Sequence, residues 1–516
     1  MNNLLKFACL LSLLLTALPS HAWDFKTDDI YYNIMSESDR TVEVTYPNSY
    51  GPDYRGSVDI PIRVIHDSKT YRVIGIGRRA FQNAKLTSIT IPTSITSIGD
   101  RAFDDCSLTT ITIPNSVTIM GDEVFRNCHS LKSIELPNSL MSIGDQAFWC
   151  CWDLVSITIP ESVTSIGYAA FKSCNHIESI TIPESVTSLG NQAFSNCSIL
   201  TTVINNGTMS TIPEEAFSWC QKLNSITIPS SVTSIEGSAF YRTDLETIDL
   251  PDGLTSIGTN AFRETKINEV TLPASLTSMG RPFPTDCHIT VNDDNQTYSA
   301  IDGVLYNKDV TTLIYSPTTI ESIDIPESVV EISKAAFDNC TKLSSIKLPE
   351  SVETIGDGAF YNCTNLSTVI IPNAVASIGT SAFSGCNSLT SIYCQPIIPP
   401  TCDPNTFSNE VLKNCMLYVP NSTKSEYEAV DPWRNFWNIE EMDFGGIGDM
   451  ADDDSMLQIS VVDGVLTIDG IGSNEAVAIY DMQGRTVHNS TEHTITNLAP
   501  GIYIARCGSK KVKFTI

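Results

Sequence analysis

Sixteen cysteines and seven histidines are the side chains best suited to nucleophilic, redox or metal chemistry in this chain. Their spacing points away from all three. Nine of the cysteines, Cys106, Cys128, Cys151, Cys174, Cys197, Cys220, Cys340, Cys363 and Cys386, stand three residues after a phenylalanine. A column of identical inward side chains has parallel Cβ directions, which is poor geometry for a disulfide even at the roughly 4.8 Å spacing of paired strands. The column therefore reads as small buried thiols. Cys394, Cys402 and Cys415 lie outside it, and one pair among them is free to oxidise. Six histidines follow residue 22: His66, His129, His176, His288, His488 and His493. None recurs at metal-ligand spacing, and neither a Gly-x-Ser-x-Gly elbow nor a phosphate loop occurs. The expectation is a protein that is not an enzyme, with no catalytic residue, metal or cofactor.

What must position these thiols is a repeat. Phe81, Phe103, Phe125, Phe148, Phe171, Phe194, Phe217, Phe240, Phe262 and Phe283 follow one another at nearly constant spacing, and Phe337, Phe360, Phe383 and Phe407 resume it. Self-similarity of this kind marks a solenoid, in which each coil can cover its apolar side only with its neighbours. Phe103, Phe148, Phe171, Phe194, Phe217, Phe240, Phe360 and Phe383 form the expected core, together with Cys106, Cys174 and Cys197. Leu86 to Cys106 serves as the pattern of one coil. Alternation in Ser88-Ile89-Thr90-Ile91 predicts a strand with the isoleucines inward and the hydroxyls outward. Pro92 ends it, because proline cannot continue a ladder. Ile95 and Ile98 make a second inward pair. Gly99 is read as a bend needing positive φ, and Asp100-Arg101-Ala102-Phe103 as a short helical turn.

The pattern Leu-x-x-Ile-x-Ile-Pro-x-Ser-Val-x-Ser-Ile-Gly-x-x-Ala-Phe-x-x-Cys, nearly complete in Leu154 to Cys174, resembles the BspA-like bacterial leucine-rich repeat. The resemblance covers residues 75–395. It implies a curved solenoid with a parallel β-sheet on its concave face, exported to the cell surface or beyond, from a family whose members include adhesins for host matrix proteins or other cells.

The flanks complete the plan. Residues 1–22 carry Lys6, an apolar run from Phe7 to Leu18 and the small-residue end Ser20-His21-Ala22, which is the pattern of a secretory signal. Its apolar run is too short to span a bilayer, and no other segment is apolar for long enough to do so. Residues 23–74 read as an N-terminal cap and 396–444 as a C-terminal cap in which Trp433, Phe436 and Trp437 pack, the alternative being an aromatic cluster that binds a ligand. The beat fails across 284–336. There two apolar-polar runs flank Asn307-Lys308-Asp309, the sign of a hairpin. That insert is either a contact element anchored by Tyr298, Tyr306 and Tyr315 or, the preferred reading, an irregular coil that keeps the array in register. An acidic, glycine-rich linker spans 445–456. Residues 457–516 alternate like a small β-sandwich, and Val477 to Val487, Leu498 to Arg506 and Lys510-Lys511-Val512-Lys513 resemble the C-terminal sorting domain of type IX secretion. This implies an export address and a partner in the export machinery.

Formal charge is -28 over the whole chain. Such a surface repels phosphate backbones, so nucleic acids are excluded as partners. Along the strand, one outward column reads mostly threonine, a good strand former that needs no ligand to explain it. Glu135, Ile204, Asp249, Asp324, Lys347, Ile370 and Tyr393 break that column. Lys347, Ile370 and Tyr393 combine charge, apolar area and an aromatic ring near one end, and form the expected protein-binding patch. The expected role is that of a secreted or outer-membrane-attached protein that binds host or neighbouring-cell proteins. A structural or glycan-holding surface component is the alternative.

Overall fold

The computed structural model describes residues 23–46 and 54–444, and in the last part of the chain 458–462, 465–469, 477–481, 485–491, 494–496, 498, 502–507 and 510–515. The expected signal at 1–22 and the linker at 445–456 lie outside the described residues. Two compact units divide the chain, Met1–Met442 and Asp443–Ile516.

In the first unit the repeat is a β-solenoid whose inward columns stack. Ile111 pairs with Ile134 in parallel register, and a bridge between Ser133 and Ser156 carries the row on to Ile157. A second set of short parallel strands, which the inward pair Ile95 and Ile98 only hinted at, runs through Ser97–Ile98, Ile119–Met120 and their counterparts in later coils. The phenylalanines form a nearly parallel ring stack at the centre. Phe148 and Phe171 lie 5.2 Å apart at 5°, and Phe171 and Phe194 lie 5.1 Å apart at 6°.

The expected helical turn is not helical. Gly99–Ala102 and Phe103–Cys106 are two reverse turns, closed by Ala102 N–H to Gly99 O at 3.2 Å and Cys106 N–H to Phe103 O at 3.1 Å. Arg101 and Asp105 take the left-handed position of each turn, at φ 56° and 55°, a conformation that costs a non-glycine residue about 1–2 kcal/mol. Hydrogen bonds to the next coil offset that cost. Arg101, Phe103 and Asp105 donate N–H groups to Asp122, Val124 and Arg126 carbonyls at 2.8, 2.9 and 2.7 Å. A helix would have spent those donors within its own turn. The same pattern recurs from Phe125 onward, for example Phe171 to Ala193 at 2.7 Å.

Gly99 also plays a different part from the expected one. Its φ is not left-handed; instead, a Cβ there would lie 2.7 Å from Arg78 N, so glycine is needed for close approach of successive coils. In the coils that read Gly-Asp, the absent Cβ leaves room for the previous carboxylate. Asp100 Oδ1 accepts the Asp122 N–H at 3.1 Å, and Asp122 Oδ1 the Asp145 N–H at 2.8 Å.

Cysteines of the column are free and buried, and Cys394, Cys402 and Cys415 are free as well. From Cys128 onward the column thiols point back to the previous coil: Cys174 Sγ donates to Phe148 O at 3.2 Å and Cys197 Sγ to Phe171 O at 3.2 Å. Burial pushes the Cys106 thiol up to about 11 and Cys128 well above its ordinary value. An acid whose folded pKa is raised contributes stability that is whole below the unfolded pKa, near 9.0, and erodes as pH rises toward the folded one. Urea midpoints should therefore hold steady up to about pH 8.5 and fall steeply above it. Replacing Cys106 and Cys128 by alanine should flatten that fall.

The insert is a three-stranded meander. Tyr298–Ile301 pairs antiparallel with Val304–Asn307, which pairs antiparallel with Thr312–Tyr315, and the last joins Glu331–Ile332 in parallel. Strand Val304–Asn307 has core on both faces. Leu305 belongs to the apolar cluster containing Phe81 to Phe283, whereas Val304 and Tyr306 belong to the one containing Phe337 to Phe407. A register shift in the partner strand lets Tyr315 face the first cluster and Leu313 the second. The meander thus closes one ring stack and seeds the next. Tyr298, Tyr306 and Tyr315 are buried, which fits the preferred irregular coil and not a contact element anchored by them. Tyr315 Oη donates to the carbonyls of Pro284 and Cys287 at 3.2 and 3.1 Å.

At the N-terminal end, Ile30–Ser36 and Thr41–Thr45 form an antiparallel pair, and Lys69–Ile76 passes the sheet on to Ser97–Ile98. At the other end the rings of Trp433 and Phe436 pack on Phe407 at 5.3 and 5.1 Å, and Trp433 Nε1 donates to Pro400 O at 2.8 Å. Trp437, expected to pack with them, is exposed. The described residues of the second unit form two antiparallel sheets, of three and four strands. They share a core of Leu466, Ile468, Val477, Ile479, Ile495, Tyr503 and Ala505, which makes it a small β-sandwich.

Candidate functional site

Of the residues that break the threonine column, Glu135, Ile204, Asp249, Asp324 and Lys347 are exposed. Register brings Lys347, Ile370 and Tyr393 into one row as expected. It does not leave that row open. Ile370 is 7% and Tyr393 1% exposed, and the Tyr393 ring stacks on Tyr418 of the next strand at 4.8 Å. A contact patch centred on Ile370 and Tyr393 is therefore closed, because the same alignment that gathers the large side chains lets them cover one another.

Chemical variety lies on the turn side instead. One or two places after many of the phenylalanines the side chain reaches the surface, although Asp104, Ser173, Ser195 and Ser218 at these positions are buried. Here the hydroxyl-rich pattern gives way to Arg126, Trp149, Lys172, Tyr241, Arg263 and Tyr361, followed by Trp219, Arg242 and Glu264. These positions interlock from coil to coil. Glu123 binds both Arg101, at 2.6 Å, and Arg126. Gln192 Oε1 accepts from Lys172 at 2.6 Å and Tyr168 at 3.3 Å.

The densest group is Trp219, Tyr241, Arg242 and Glu264, drawn from three successive coils. The Trp219 and Tyr241 rings meet edge to face with centroids 6.0 Å apart. The Arg242 guanidinium lies 4.2 Å from the Trp219 centroid and 5.4 Å from that of Tyr241, a cation–π geometry. Arg242 Nε is ion-paired with Glu264, and Tyr241 Oη donates to Glu264 at 2.8 Å. Arg242, and after it Tyr241, hold the Glu264 carboxyl below the usual carboxylate range by hydrogen bonding. Beside this group is a recess of about 380 Å3, lined also by Glu215, Ser238, Asn260 and Arg263. The Trp219 and Tyr241 rings and the Arg242 guanidinium hold one another in place, and such preorganisation lowers the ordering cost of any binding.

Sequence reading passed over these positions because the segment looked like a helical turn used for packing. The signal was present nonetheless: departures from the repeat at one and two places after the phenylalanine are larger and more aromatic than those in the threonine column.

Among the described residues, no group of three or more His, Cys, Asp and Glu side chains is placed to hold a metal ion. Nor is any helix among them long and apolar enough to cross a membrane.

Comparison with known proteins agrees with this architecture. Six copies of the BspA type leucine-rich repeat region match residues 74–201, 188–302 and 309–427. Among solved structures, the chain is similar to a leucine-rich repeat protein from Bacteroides ovatus, with 27% identity over 81% of this chain and 100% of that one, at a TM-score of 0.53. It is also similar to a leucine-rich cell surface protein from Faecalibacterium prausnitzii, with 30% identity over 82% of this chain and 95% of that one, at a TM-score of 0.38. No curated protein matches the chain.

Proposed function

The chain belongs to the BspA-type leucine-rich repeat family of bacterial cell-surface proteins, and from that premise we propose that it is an exported adhesin binding host extracellular or neighbouring-cell proteins through the turn side of its solenoid. The observation that carries this reading is the preassembled group of Trp219, Tyr241, Arg242 and Glu264 beside its recess. Tryptophan, tyrosine and arginine are the residues in which binding energy at protein interfaces concentrates. Residues 457–516 act in this reading as the address for type IX export, and residues 1–22 as the secretory signal.

One experiment tests the proposal. The full chain should bind at least one of a panel of matrix and cell-surface proteins saturably, and the pair Trp219→Ala and Arg242→Ala should weaken that binding by a factor of about 30 or more, the loss typical of a hot spot. Unfolding midpoints should stay near those of the parent, since both side chains are partly exposed, and Lys347→Ala should bind as the parent does. Expressed in a bacterium with type IX export, the chain should reach the cell surface and fail to do so without residues 457–516. A panel with no saturable ligand, or full binding by the double variant, would overturn the adhesin reading.

A further inference from the structure

We propose that the C-terminal cap carries a second, separate binding site, a subsite for one neutral hexopyranose unit of a glycan, with Trp437 as its platform. Trp433 and Phe436 are spent on packing against Phe407, but Trp437 between the cap and solvent is 71% exposed and stacks on no other aromatic ring among the described residues. Lys413 Nζ stands 5.2 Å from its ring centroid. Lys413 does not line the adjoining recess, so it steadies the indole and leaves the opposite face for a ligand.

That recess measures about 420 Å3, within the range of small-molecule sites. Met416, which pairs in register with Asn438, lines it, and the core residues Phe436 and Ile439 border it. Around them stand Lys424 and Arg434, balanced by Glu428 and Glu440, with Asn438 beside them. Two positive and two negative side chains cancel, which disfavours both anions and cations and suits a neutral polar ligand. The two cations are already engaged: Lys424 Nζ donates to Ile439 O at 2.8 Å and Arg434 pairs with Asp431 at 2.6 Å. Asn438 and Glu440, both exposed, have no side-chain partner among the described residues and are available to a ligand. They lie two apart on the strand Asn438–Met442 and so project to the same side. A pyranose matches this arrangement in kind. Its C–H face lies flat on an indole, and its equatorial hydroxyls each accept from an amide N–H and donate to a carboxylate.

The test uses the full chain and four probes: the methyl glycosides of β-glucose, α-mannose, β-galactose and N-acetyl-β-glucosamine. Saturation-transfer NMR and calorimetric titration should show at least one of them binding saturably. Trp437→Ala should reduce that affinity at least tenfold and Trp437→Phe should recover part of it, while Asn438→Ala and Glu440→Gln each weaken it. Trp219→Ala should leave it unchanged, so this site and the protein-binding surface can fail independently. Because Trp437 is exposed, its variants should keep the parent unfolding midpoint. Absence of binding by all four glycosides, or binding that survives Trp437→Ala, would overturn the proposal.

Discussion

Phe171→Ala should destabilise the solenoid by about 3–5 kcal/mol, the cost of removing a fully buried phenyl ring from a core that cannot collapse around the gap. Its ring stacks on two neighbours, Phe148 at 5.2 Å and Phe194 at 5.1 Å, and each such contact is worth about 0.5–1.5 kcal/mol beyond area burial. A coil in the middle of an array is held by its two neighbours, so one truncation weakens two interfaces. Phe283→Ala should cost less. Its column has one ring neighbour, Phe262 at 5.4 Å, before the meander interrupts the stack. Urea unfolding compared across the two variants reads the difference directly. Hydrogen exchange should localise it, with amides of the coils around Phe171 losing protection first. Equal destabilisation by the two variants would mean that the stack is not what holds the coils together.

Gly190→Ala should be the next most damaging change, although it adds a single methyl group. The new Cβ would lie 2.4 Å from both Gly167 C and Tyr168 N, which are backbone atoms of the previous coil and cannot rotate away. Successive coils would have to separate, breaking the bond from Gly190 N–H to Ile166 O at 2.8 Å. Overpacking of this kind costs about 1–3 kcal/mol, against which the reduced freedom of the unfolded chain returns only about 0.4–1 kcal/mol. Gly253→Ala is the matched control. The nearest atom to a Cβ there is 3.8 Å away and its φ is not left-handed, so this variant should be as stable as the parent or slightly more so. Opposite signs for the two substitutions in the same denaturation series are expected. If both proved neutral, close approach would not be the reason for glycine at this place in the repeat.

Phe171 and Gly190 differ in how much of their role the residues alone reveal. The period of the phenylalanines already identifies Phe171 as core, and the position of each cysteine three residues after a phenylalanine already identifies it as a buried thiol. Gly190 is equally visible as a repeated glycine, but its reason is not. A glycine that supplies positive φ and one that admits a neighbouring backbone look alike in a sequence, and only the distance between coils separates them. The candidate binding surface divides in the same way. Trp219, Tyr241 and Arg242 are plain departures from a hydroxyl-rich repeat, yet Trp219 belongs to one coil and Arg242 to the next, and their meeting depends on the register between coils.

Periodicity determined which side chains recur on one side of the chain, because inward and outward alternation is a local property of a strand and needs no knowledge of its partners. From that follow the solenoid, its central ring stack, its free thiols and its hydroxyl-rich outer columns. Tertiary structure alone decided what crosses between coils. It placed left-handed residues where a helix was expected, because hydrogen bonds to the next coil outweigh the local cost at Arg101 and Asp105. It buried Ile370 and Tyr393 in a row that looked open, and it turned Leu305 and Tyr306 toward two different cores. Each of those outcomes is set by atoms more than 20 residues apart in the chain, where residue type no longer indicates what stands opposite.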